Sequence, residues 1–122
     1  MTLRPVMFAV LANMVLTAPA MAAEVSVAAC DADLAAVDAS FGETEARLEK
    51  AGGADLDEKC AAIRHHVEVM ANAVNVFQRC LPDGHDKGEN VAQLVGSIAD
   101  FLDISDSSGC PRFDLPEIEG VE

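Results

Sequence analysis

Two sets of residues in this 122-residue chain could do chemistry: four cysteines, at 30, 60, 80 and 110, and the run Pro82-Asp83-Gly84-His85-Asp86-Lys87-Gly88-Glu89-Asn90. Thiols can attack, ligate or pair. Attack by a redox dithiol calls for a CxxC spacing, and haem attachment for CxxCH. Neither is present. An even set of widely spaced cysteines reads instead as two disulfides. HExxH, P-loop and Gly-x-Ser-x-Gly patterns are also missing. No serine and histidine are spaced as nucleophile and base, no cofactor is implied, and the expected role is non-enzymatic.

The second set is the candidate metal site. Asp83, His85, Asp86 and Glu89 lie within seven residues and offer oxygen and imidazole donors. The order of acidic residues is not that of an EF-hand, which ends in a bidentate Glu. The same residues also make sense as a helix stop, a turn and a new helix cap. Adjacent His65 and His66 point about 100° apart on a helix, whereas a zinc clamp wants spacing i, i+4. His65 should face solvent and His66 should flank the core, both as ordinary side chains. Asp100, Asp103 and Asp106 share one helix face and read as a solvated acidic surface.

The first residues should be set aside from the fold. Arg4, the apolar run from Val6 to Leu16 and Ala20-Met21-Ala22 have the layout of a secretory signal with a small-x-small cleavage site. The run is about half the roughly 20 residues needed to span a bilayer. Residues 1–22 are therefore expected to be removed, and 23–122 to form one domain, placing the protein in the periplasm or outside the cell. Val27-Ala28-Ala29-Cys30 resembles a lipobox, which would make Cys30 a lipid anchor. A lipobox directly follows the apolar run, whereas residues 17–29 separate Leu16 from Cys30 and include charged Glu24. Acylation would also strand one thiol. The expectation is that Cys30 is a disulfide partner, with lipidation as the alternative.

Lys and Arg number 8 against 21 Asp and Glu, a net charge of -13. Loss of Arg4 with the signal makes the remainder one unit more acidic. Nucleic acid and anionic membranes repel such a surface. An envelope or secreted protein, basic in the charge-complementary case, is the expected partner. Acidity also serves solubility alone. Trp and Tyr are absent, which removes the usual aromatic anchors of interface hot spots.

Three segments have the period of a helix. Cys30, Leu34, Val37, Phe41, Thr44, Leu48 and Ala51 step by four and three along the first, with Asp31 or Asp33 as its cap and Gly52-Gly53 as its stop. Gly42 weakens it by about 1 kcal/mol relative to Ala. Leu56, Cys60, Ile63, Val67, Met70, Val74, Phe77 and Leu81 mark the second. Asp55 and Glu58 have capping-box spacing, and Pro82-Asp83-Gly84 ends the helix. Its apolar face is the widest, so it should be the most buried. The third should run from about 87 to 104 on Val91, Leu94, Val95, Ile98, Phe101 and Leu102, with Asp86 and Glu89 at capping spacing. The acidic tail, about 111–122, should be irregular.

Short loops make this an all-α, antiparallel up-down-up three-helix bundle. That topology selects among the three possible disulfide pairings. Cys60 and Cys80 sit roughly 30 Å apart along one helix at 1.5 Å per residue, far beyond the ~7 Å a disulfide spans. Cys30 begins the first helix at the end where Cys80 finishes the second. Cys60 begins the second at the end where Cys110 follows the third. The expected bonds are Cys30–Cys80 and Cys60–Cys110, each contributing about 2–4 kcal/mol. Size, staples and the motifs point to a protein-binding or accessory module. Cation binding by the acidic surface and an acid-stress chaperone are the alternatives, the latter because neutralised carboxylates would loosen the bundle.

Overall fold

A computed structural model describes residues 29–118 of the chain. The expected signal, its cleavage site, and Val27 and Ala28 of the lipobox-like sequence lie outside the described residues, as do the last four positions. Helix α1 covers 29–51, α2 Leu56–Cys80 and α3 His85–Ser107, followed by an irregular tail over 108–118. Among the described residues there are no strands, and the architecture is the expected helical bundle.

The stripes become the core. Val67, Met70, Ala71 and Val74 of α2 meet Ile98 of α3, with Phe41 of α1 packed against them. A second group joins Val37 of α1 to Ala73 and Val76 of α2. α2 carries most of the buried side chains, and Ile98 and Ser105 are the buried pair on α3. Apart from Ile98, the α3 stripe is half-buried. Leu56, the first residue of the α2 stripe, departs from expectation and stands 50% exposed.

α1 and α2 are antiparallel. Asp33 meets Arg79 at 3.5 Å near one end and Arg47 meets Glu58 at 3.2 Å near the other. All four side chains are exposed, so these pairs fix register more than they stabilise. Both disulfides form as expected: Cys30–Cys80 with Cα atoms 5.3 Å apart, and Cys60–Cys110 at 5.5 Å.

The helix ends hold the corrections. Asp31 and Asp33 do not cap α1, because the helix already includes residue 29. Gly52 and Gly53 do follow α1, but without a left-handed backbone, and i→i+3 bonds tighten the turn instead, Gly53 N to Lys50 O at 3.4 Å and Ala54 N to Ala51 O at 3.0 Å. Asp55 caps α2 as expected: its Oδ1 accepts from the Glu58 amide at 2.9 Å. The Glu58 side chain turns instead to Arg47. α3 starts two residues earlier than expected, with Gly84 rather than Asp86 at its cap, and makes no side-chain cap bond. Gly84 has φ 149°, a conformation open to glycine alone. α3 closes with Gly109 at φ 82°. Cys110 N donates to Ser105 O at 3.0 Å and Gly109 N to Asp106 O at 3.1 Å, the paired bonds of a Schellman motif. That left-handed glycine turns the chain back so that Cys110 reaches Cys60.

The tail is irregular, as expected, yet it is not loose. Phe113 and Ile118 pack against the α2–α3 core. The Asn75 side-chain amide donates to Glu117 O at 2.9 Å, and the Arg64 guanidinium lies 5.6 Å from the centre of the Phe113 ring. Residues 113–118 therefore run along α2 from Arg64 towards Asn75.

Candidate functional site

The expected metal residues are close in sequence but divide into pairs in space. Pro82 ends α2, so Asp83 sits in the turn, while His85 and Asp86 lie in the first turn of α3 and Glu89 one turn further on. Lys87 Nζ donates to Asp83 Oδ1 at 2.8 Å. That hydrogen bond, reinforced by the ammonium charge, holds the Asp83 carboxyl below its ordinary value. His85 Nε2 lies 3.1 Å from Glu89 Oε1. Asp86 is exposed and supplies a negative charge to the helix N-terminus. A cleft of about 370 Å³ covers the turn, lined by the turn itself and Asn90. Among the described residues, no three or more His, Cys, Asp or Glu side chains come together in a group that could hold a metal ion. Asp100, Asp103 and Asp106 are all exposed, as a solvated face requires.

The histidines divide differently from the sequence reading. His65 is half-buried, and His66, expected at the edge of the core, is inside it at 7% exposure. Its ring lies between Phe41 of α1, at an interplanar angle of 75°, and Phe101 of α3, tilted by 58°, and its Nδ1 is buried without a hydrogen-bond partner.

The opposite end, closed by Cys60–Cys110, is built by the tail. Phe113 leans against the bundle and leaves a cleft on each side. One, about 270 Å³, is lined by Leu102, Ser105 and Asp106 of α3 and by 112–115 of the tail. The other, about 240 Å³, is lined by Asp57, Ala61 and Arg64 of α2 and by 111–113. Leu56 begins α2 and Ile104 lies near the end of α3, so both belong to this end. Together with Leu115 in the tail, they are the exposed large apolar side chains of the described residues, at 50%, 45% and 41%. Asp57, Asp106 and Asp114 are exposed at this end, as are Arg64 and Arg112, which also line the clefts. Apolar side chains flanked by carboxylates can seat an apolar anchor next to a cation.

Sequence reasoning missed this end because it treated the tail as an acidic appendage. One signal was available. Phe113, Leu115 and Ile118 are large apolar residues in an otherwise charged segment, and a segment that keeps such residues has something to pack against. No protein-family model, curated protein or solved structure matches the chain.

Proposed function

We propose that this is a non-enzymatic, exported binding module, and that it engages another envelope or secreted protein through the end closed by Cys60–Cys110. The observation that carries this reading is the pair of clefts beside Phe113, lined by exposed Leu115 and by Asp57, Asp106, Asp114, Arg64 and Arg112, at the end of the bundle where Leu56 and Ile104 are also exposed. Clefts that combine apolar and charged lining on a rigid, stapled scaffold can seat a partner's side chains. The carboxylates around them, on a chain of net charge -13, favour a partner segment that brings an apolar side chain and a Lys or Arg. The disulfides agree with an oxidising compartment, where such partners are found.

A photo-crosslinking side chain at Ile104 or Leu115, introduced in the native envelope, tests the reading. One discrete adduct is expected at these positions, reduced by Leu56→Asp and by raised salt. The same probe at exposed Ala39 on α1 should give none. Equal adducts from both sites, or none from either, would sink the proposal.

A further inference from the structure

His66 occupies the layer of the bundle where all three helices meet. Its ring centre lies 4.6 Å from that of Phe101 and 6.3 Å from that of Phe41. A neutral imidazole fits such a space as a flat, largely apolar ring. A charged one does not, because both ring nitrogens must then donate hydrogen bonds. Nδ1 is buried and has nothing to donate to. Thr44, one turn along α1 from Phe41, is also fully buried, and its Oγ1 is likewise unpartnered. The core around these helices therefore holds two polar atoms that have given up water without replacing it.

We propose that His66 is an acid-released latch: on protonation the ring leaves the space between Phe41 and Phe101 and exposes apolar surface in the middle of the bundle, while the disulfides hold both ends closed. The bridges make this a local opening. Cys30–Cys80 and Cys60–Cys110 clamp opposite ends, and His66 lies between them on α2.

The charged and titratable groups around His66 act in both directions. Burial is the strongest influence and holds the imidazole below its ordinary value of 6.5; Glu45 on α1 opposes this, and neighbouring His65 on α2 adds to it. From α3 the neighbour is the uncharged Phe101 ring. The sign follows from linkage. Above pH 6.5 both folded and unfolded chains hold a neutral His66, and its contribution is fully present. As pH falls below 6.5 the unfolded chain takes up a proton first, and stability is lost until the folded pKa is reached. One proton corresponds to about a tenfold fall in the folding constant per pH unit across that window.

The oxidised full chain tests this by proton NMR titration of His66, by amide exchange and by binding of an apolar dye between pH 8 and 5. Expected are a His66 midpoint below 6.5, dye binding that rises below pH 6.5, and protection lost around residues 63–70 while the amides beside the disulfides keep theirs. His66→Leu should remove that step, whereas His65→Gln and His85→Gln should retain it. A His66 midpoint at or above 6.5 in the unmodified protein overturns the proposal, whether or not His66→Leu folds. So does unchanged dye binding and exchange between pH 7.5 and 5, or the same step in a folded His66→Leu protein.

Discussion

Thr44 stands where the α1 stripe calls for an apolar side chain, and its methyl group does pack there, but its hydroxyl is buried with no partner. A hydroxyl in that position has lost its water and gained nothing, at a cost of about 1–3 kcal/mol. Valine has nearly the same shape without the oxygen. Thr44→Val should therefore raise stability by roughly 1 kcal/mol, read as a higher urea midpoint at unchanged slope. A lower midpoint would mean that the hydroxyl is paired in solution. His66 belongs to the same scale. The stripe Ile63, Val67, Met70 put His66 beside the apolar face, which periodicity could show. Whether it sat at the edge or inside depended on the rings from α1 and α3, and no local pattern in α2 encodes those.

At the scale of elements, the tail is the least helical part of the described chain and still belongs to the fold. Phe113 and Ile118 carry its contact with the core, Phe113 between the Arg64 guanidinium and the two clefts. Phe113→Ala should cost less than the 3–5 kcal/mol of a fully buried aromatic, about 1–2 kcal/mol, because the ring is half-buried. Amide exchange in 111–118 should quicken by far more than exchange in α2. Equal quickening everywhere would mean that the tail and bundle open as one unit. Helix existence and pairing were legible in the sequence because the apolar steps of four and three run unbroken through Val37, Phe41 and Thr44, and again through Val67, Met70 and Val74. Helix starts were less legible. Asp55 caps as its spacing suggests, yet Asp86 does not, because Gly84 already supplies the backbone turn and Asp83 is taken up by Lys87. The four candidate metal residues do not converge for a similar reason: Asp83 pairs with Lys87, His85 and Glu89 pair with each other, and Asp86 stands exposed apart from both pairs.

For the whole molecule, the two bridges rank among the larger single contributions to stability. Each joins residues 50 apart in sequence, so loop closure alone assigns them similar values, about 4 kcal/mol apiece. Replacing Cys60 and Cys110 together by Ser should lower stability by about that amount, measured by urea unfolding with the other bridge intact. A loss under 1 kcal/mol would mean that the unfolded chain is already constrained without the bridge. A domain of this size commonly has only about 5–15 kcal/mol to lose, so the chain depends on a compartment that keeps its cysteines oxidised. Among the described residues no helix is long and apolar enough to cross a membrane.

The two bridges also overlap, since one encloses 30–80 and the other 60–110, and α2 lies in both loops. Under tension between Cys30 and Cys110, the shortest covalent route crosses the first bridge to Cys80, returns along α2 to Cys60 and crosses the second. Pulling force therefore bypasses α1 and α3 and falls on α2 alone. The stretch between the anchors is limited to about 20 residues, roughly 70 Å at full extension. Mechanically, the molecule is a short tether with a stop, and its load-carrying strut is the helix that also holds most of its core.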